Sequence, residues 1–200
     1  SAYKAKTPWN SSSYTIVEGE LVKSGGLYYV IDSAKKTASV TFSPDGTKYS
    51  GSITVPSSFS YEGKNYLVKA IGANAFASCR GLTSMSLPEG LTSIGSSAFS
   101  DCSGLKSISL PESLTSIGSK SFYQSGLTSV SIPEGVTSIA DDVFYSCTKL
   151  ESIELPSGLT SIGGNGIYNC WELKYIVMHS PTVPTTSTNV FGGCSKLKTI

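Results

Sequence analysis

Pairs of apolar residues separated by one serine and followed by a proline recur down the middle of the chain. Met85 and Leu87 flank Ser86 ahead of Pro88, and Ile108 and Leu110 flank Ser109 ahead of Pro111. Strict alternation is the period of a strand with one face buried. Pro88, Pro111, Pro133 and Pro156 end each such strand, because proline cannot donate to a ladder. A second apolar pair, Leu91 and Ile94 in the first copy, opens a return path. Gly95, Gly118 and Gly163 are expected to allow the next bend at low steric cost. Phe99, Phe122 and Phe144, with Ile167 in the same slot, fill the far side of each turn of chain. Stacked, they form a continuous aromatic spine that Phe76 begins, each ring contributing about 1.5–3 kcal/mol on burial.

Aligned on Leu82, Leu105, Leu127 and Leu150, these segments read LTSMSLPEGLTSIGSSAFSDCSG, LKSISLPESLTSIGSKSFYQSG, LTSVSIPEGVTSIADDVFYSCTK and LESIELPSGLTSIGGNGIYNCWE, a period of 23 residues that is once 22. A period of about 20–29 residues with a strand in each unit is that of leucine-rich repeats. The frame extends backwards through Ile53, Val55, Pro56, Val68, Ile71, Gly72, Phe76 and Cys79, with about nine extra residues around Tyr61 to Asn65 expected as a longer loop. Forwards it continues through Leu173, Ile176, Phe191 and Cys194, where Pro181 to Thr188 replaces the middle with Thr and Pro. Upstream, the runs Tyr14 to Val22, Leu27 to Ile31 and Thr37 to Phe42 predict strands punctuated by Gly25-Gly26 and Pro44-Asp45-Gly46. A stack of coils exposes its first rung unless something covers it, and this segment is placed to do so. The expected fold is a mainly-β repeat solenoid, a right-handed stack of leucine-rich coils with a parallel sheet and an N-terminal β cap. Residues 14–52 form the cap, 53–200 an array of about six coils with the last incomplete, and 1–13 the tail of a preceding array or a linker.

Composition narrows the function classes. Lys and Arg number 15 against 14 Asp and Glu, a net charge of +1 that leaves no basic footprint for nucleic acid. No apolar run nears the roughly 18 residues that read as a membrane span. Ser and Thr make up 28% of the chain, with 39% hydrophobic residues to form a core, so soluble folded material is expected.

Cys79, Cys102, Cys147, Cys170 and Cys194 share one slot, three residues after the Phe or Ile, with Ser125 in the remaining coil. Parallel side-chain vectors on adjacent rungs disfavour disulfide closure, so the ladder is expected as buried free thiols. No C-x-x-C or His partner spacing suggests zinc. His179 is the only histidine, with no acidic neighbour in sequence, and reads as a surface loop residue. Asp141-Asp142 reads as a solvated turn. With no phosphate loop or nucleophile elbow either, the chain reads as non-enzymatic and without cofactor or metal.

Surface rows carry the candidate binding residues. Ser107 and Ser109, Ser129 and Ser131, Ser152 and Glu154, then Tyr175 and Val177 alternate with the buried strand positions, either as a solvated face or as a broad contact surface. Tyr123, Tyr145 and Tyr168 form an aromatic stripe near Trp171; such residues favour interface centres but also pack between coils. Glu89, Glu112 and Glu134 stack like charges, whereas Lys149 beside Glu172 and Glu151 beside Lys174 pair opposite ones.

The frame resembles the BspA-like, or Treponema pallidum-type, leucine-rich repeat proteins through Leu82, Met85, Leu87, Pro88, Leu91, Ile94, Gly95, Ala98, Phe99 and Cys102, and the preceding β segment looks like the cap of Bacteroides-type members. Ser125, Ile167 and the coil from Pro181 depart from the signature. The resemblance implies an exported bacterial surface protein, some members of the family being adhesins toward host or microbial proteins or glycans; a spacer in a longer surface protein is the alternative. It carries over no ligand residue. Ser1 to Asn10 resembles the segment that closes such arrays, so the chain is expected to be cut from a longer tandem-array protein, with head-to-tail self-association open to its last rung at Lys196 to Ile200. Asp32-Ser33-Ala34 looks like a short O-glycan acceptor pattern, or else a turn.

Overall fold

The computed structural model describes residues 19–198. The expected tail over 1–13, the start of the strand from Tyr14, and Thr199-Ile200 of the last rung lie outside the described residues. Three antiparallel strands come first: β1 (Glu20–Ser24), β2 (Leu27–Asp32) and β3 (Thr37–Thr41). Gly25 and Gly26, at φ 55° and 83°, make the turn with two positive φ values whose twist suits a hairpin. Leu27, Tyr29 and Ile31 alternate inward along β2. Strand β3 then runs parallel to β6 (Lys64–Ile71), so this meander lies directly on the first rung of the stack.

The extra residues of the first coil form a hairpin and not the expected loop. After β4 (Gly51–Thr54), strand β5 (Ser58–Tyr61) pairs antiparallel with β6 across Glu62 and Gly63, at φ 47° and 70°. Its inward face covers the end of the core: Phe59 meets Tyr29 at 4.3 Å and Tyr66 at 5.9 Å between ring centroids.

Each later coil contributes two strands. The longer ones, β7 (Leu82–Ser86), β9 (Ser107–Ser109), β11 (Ser129–Ser131), β13 (Ser152–Leu155) and β15 (Tyr175–Met178), sit ahead of the prolines or in the matching place. The two-residue strands β8 (Ser93–Ile94), β10 (Ser116–Ile117), β12 (Ser138–Ile139), β14 (Ser161–Ile162) and β16 (Thr185–Thr186) build a second, return-side ladder. Register is parallel and in step, Met85 facing Ile108 and Ile153 facing Ile176. No helix occurs among the described residues. The carbonyls of Pro88, Pro111, Pro133 and Pro156 each accept the amide three residues on, as Pro111 does from Leu114, which starts the turn to the return side.

On the third side the chain bends at pairs of left-handed residues, not at the glycines expected to do so. Asn74 and Ser78, Ser97 and Asp101, Lys120 and Gln124, Asp142 and Ser146, Asn165 and Asn169, then Asn189 and Gly193 all have positive φ. Asn and Asp tolerate that region better than other side chains. Gly95 and Gly118 serve close approach instead, because a Cβ on them would lie 2.5 Å from the Ala73 nitrogen and 2.6 Å from the Ser96 nitrogen of the preceding coil.

The spine is as expected. Phe76, Phe99, Phe122 and Phe144 are fully buried and stack face to face at 5.2, 5.4 and 5.4 Å, with rings parallel within 3°. At the one 22-residue coil, however, both ladders are interrupted. Strands β4, β7 and β9 form one sheet and β11, β13 and β15 another; on the return side, β3, β6, β8 and β10 are continuous but β12, β14 and β16 stand apart.

Candidate recognition surfaces

The eight sheet-face candidates lie on one side in two rows. Ser129, Ser152 and Tyr175 are register partners, as are Ser131, Glu154 and Val177, while Ser107 and Ser109 belong to the sheet beyond the break. Serine at the middle of the array gives way to Tyr175 and Val177, which stay 51% and 46% exposed because they point away from a core already filled by Ile176. Beside them the Glu154 carboxylate lies 2.7 Å from His179 Nε2. That hydrogen bond, with a further one from Ser131, holds Glu154 below the usual carboxylate range. The sequence had left His179 without an acidic neighbour; stacking supplies one from the previous coil, 25 residues away.

Charge pairing follows the stack with one change. Lys174 reaches Glu151 at 2.7 Å as expected, but Glu172 turns to Lys196 at 2.8 Å and Lys149 acts on it only as a nearby charge. Such exposed pairs contribute roughly 0–1 kcal/mol and act on register more than stability. The row of stacked glutamates is relieved at Glu134, whose carboxylate accepts both the hydroxyl and the amide of Ser157 at 2.6 and 3.1 Å. Asp141 and Asp142 are engaged in a turn: Asp141 accepts the Gly164 amide and Asp142 the Asn165 side chain.

The tyrosine stripe is on a different side of the coil, following the phenylalanine spine, so the two sets of candidates do not form one patch. Tyr123 stacks on Tyr145 at 5.0 Å and Tyr145 on Tyr168 at 5.2 Å, all half-buried. The stack ends at Gly192, where a Cβ would press on the Tyr168 ring at 2.6 Å. Trp171 stands 52% exposed at the corner leading into β15, its indole N–H donating to Asn169. Ser33 of the Asp32-Ser33-Ala34 turn is exposed, with Asp32 accepting the amides of Ala34 and Lys35.

The cysteines do more than fill space. Cys102, Cys147, Cys170 and Cys194 donate to the carbonyls of Phe76, Phe122, Phe144 and Ile167, one coil back, at 3.0–3.2 Å. Four of the five are buried, while Cys194 is partly exposed. Burial pushes the Cys102 thiol up to about 12 and Cys147 up to about 11. Paired with Cys194 and buried, Cys170 also goes up, and its thiol in turn holds Cys194 below the ordinary value. Among the described residues no cluster of three His, Cys, Asp or Glu could hold a metal ion.

Two features of the repeated Thr-Ser step are not visible in the sequence. The threonine hydroxyl is structural: Thr92, Thr115, Thr160 and Thr185 each donate to a carbonyl of the preceding coil at 2.9–3.2 Å. The residues after it line a shallow depression of about 570 Å³ on the return side, formed by Ser138, Ala140, Asp141, Ser161, Gly163 and Thr185 among others. The signal was present as a Thr at fixed spacing, but hydroxyls that bond backward and hydroxyls that face water look alike in sequence.

The profile that matches the chain is the BspA type leucine rich repeat region, in six copies over residues 69–198. Among solved structures, the leucine rich repeat protein of T. pallidum is 27% identical over 86% of this chain and 77% of its own, with a TM-score of 0.74. A leucine-rich repeat protein from Bacteroides ovatus is 25% identical over 94% of this chain, with a TM-score of 0.61; this chain spans about half of it, 52%. No curated protein sequence is significantly similar.

Proposed function

This chain belongs to the BspA-type leucine-rich repeat family, and from that premise we propose that it is a non-enzymatic recognition module of a bacterial cell surface, binding a host or microbial surface protein through the sheet face that ends at β15. The observation that carries this reading is the pair Tyr175 and Val177, exposed on a hydrogen-bonded strand beside the Glu154–His179 and Glu151–Lys174 pairs. An apolar centre with a polar rim is the anatomy of a protein-binding patch, and tyrosine is favoured there because it buries area at little entropic cost. A glycan partner would draw on the hydroxyl-rich part of the same face at Ser129, Ser131 and Ser152.

The test immobilises the protein against purified extracellular-matrix proteins and a glycan array. A protein partner is expected whose affinity falls about tenfold or more, roughly 1.4 kcal/mol, with Tyr175→Ser or Val177→Ser and stays unchanged with Tyr123→Ser. Retention of no partner by the folded protein would favour a spacer, the reading that best suits the serine-only part of the face.

A further inference from the structure

The interruption at the 22-residue coil extends to the backbone hydrogen bonds around it. At every other junction along the return side, two amides donate to the coil before: Thr92 to Lys69 and Gly95 to Ile71, Thr115 to Thr92 and Gly118 to Ile94, Thr160 to Thr137 and Gly163 to Ile139, all at 2.8–3.0 Å. The equivalent amides of Thr137 and Ala140 have no such partner among the described residues, and the Thr137 hydroxyl does not repeat the backward bond. On the opposite face β9 and β11 are unpaired, and the Lys106 carbonyl accepts the Thr128 amide and hydroxyl at 3.2 and 3.3 Å.

The third side of the same junction is intact. Lys120, Phe122 and Gln124 donate to Asp141, Val143 and Tyr145 at 3.1, 3.0 and 2.8 Å, and Phe122 lies on Phe144 at 5.4 Å. Local sequence accounts for the asymmetry. One residue is missing between the Ser125 slot and Leu127, which shortens the link into β11. Ala140 occupies the slot that is glycine in the neighbouring coils, and its Cβ sits where Gly95 and Gly118 admit none. In the 22-residue coil the buried Ser121 hydroxyl has no partner among the described residues, and Ser125 bonds forward to Cys147 where a cysteine would bond backward to the Phe99 carbonyl.

A solenoid's cooperativity is a sum of nearest-neighbour couplings, so one weak junction divides it. We propose that the junction between residues 105–126 and 127–149 is a built-in hinge. It divides the protein into two cooperative units, 19–126 and 127–198, which flex about the Phe122–Phe144 side. The sheet face is then two plates: Ser107 and Ser109 on one, Ser129 through Val177 on the other. A partner touching both would set the angle between them.

Trp171 lies in the second unit and Trp9 is the other tryptophan, so Trp9→Phe leaves one fluorescent reporter for residues 127–198. Urea unfolding of this full-length variant is followed by Trp171 fluorescence and by far-UV circular dichroism, with amide exchange measured alongside. Separate midpoints are expected, with Thr137 and Ala140 exchanging about tenfold or more faster than Thr160 and Gly163. Inserting one serine after Ser125 together with Ala140→Gly is expected to merge the transitions and slow that exchange; Ala140→Gly alone serves if the double change does not fold. Coincident midpoints in the Trp9→Phe protein would overturn the division. Separate midpoints with the loss of protection at another junction would overturn its placement.

Discussion

Gly118→Ala distinguishes two physical accounts of the repeat glycine by sign. The backbone at Gly118 lies outside the positive-φ region, so alanine is torsionally acceptable there. If the residue merely eased a bend, substitution would stabilise by about 0.4–1 kcal/mol through the unfolded chain. The structure says otherwise. The new Cβ would stand 2.6 Å from the Ser96 nitrogen and 2.9 Å from the Gly95 carbonyl carbon, both backbone atoms that cannot swing aside. Restoring ordinary contact opens the seam by about 0.8 Å, which stretches the Gly118 amide bond to the Ile94 carbonyl from 2.8 Å to about 3.6 Å, beyond hydrogen bonding. The adjoining Thr115 amide and hydroxyl bonds to Thr92, at 3.0 and 3.2 Å, loosen with it. At about 1 kcal/mol for each bond, less the entropic gain, the net loss is about 2 kcal/mol. That corresponds to a fall of about 9 °C in the midpoint of the unit that holds Gly118, residues 19–126. Thermal and urea denaturation followed by circular dichroism measure it. An unchanged or raised midpoint would refute the close-approach account.

Three further outcomes are expected. Ser121→Ala removes a buried hydroxyl without a partner among the described residues and should raise the midpoint of the 19–126 unit by about 4 °C, close to 1 kcal/mol; a lowered midpoint in a melting curve would mean the hydroxyl is satisfied. In native titration with a thiol reagent, Cys194 should react first and the four buried cysteines about tenfold or more slowly, whereas five equal rates would contradict the ladder. The Ser43 hydroxyl and the Thr47 amide hold Asp45 at about 2, below its unfolded value, so its contribution to stability is complete above about pH 4 and lost as pH falls toward 2. Asp45→Asn should therefore flatten the stability profile in that window, and an unaltered slope would count against the bond.

Much of this architecture was legible because a repeat reports each position several times. The Phe76 to Phe144 spine and the cysteine ladder followed from spacing alone. What escaped were interactions between coils, where sequence separation hides the partner. Nothing near His179 in sequence announces Glu154, and nothing at Glu172 decides between Lys149 and Lys196. The bends were misplaced because glycine was credited with torsional freedom, whereas Asn165, Asn169 and their counterparts take the left-handed positions and glycine admits a neighbouring backbone. The hairpin in the first coil escaped because Glu62-Gly63 is a weaker turn signal than Asn-Gly. At the candidate face, exposure of Tyr175 and Val177 followed from alternation, but the separation of that face from the tyrosine stripe needed the path of the whole coil.

Most coils bond to their neighbours through the same set of amides, threonine hydroxyls and thiols, and this has a consequence for size. A globular domain that grows hides an increasing share of its residues, because interior volume outpaces surface. A stack lengthens by about one strand spacing, near 4.8 Å, for each added coil, with the ratio of outside to inside unchanged. Gene duplication of a single 23-residue unit therefore adds outward-facing area in proportion to chain length. Selection can then vary residues such as Tyr175 on the new rung without redesigning what lies beneath it.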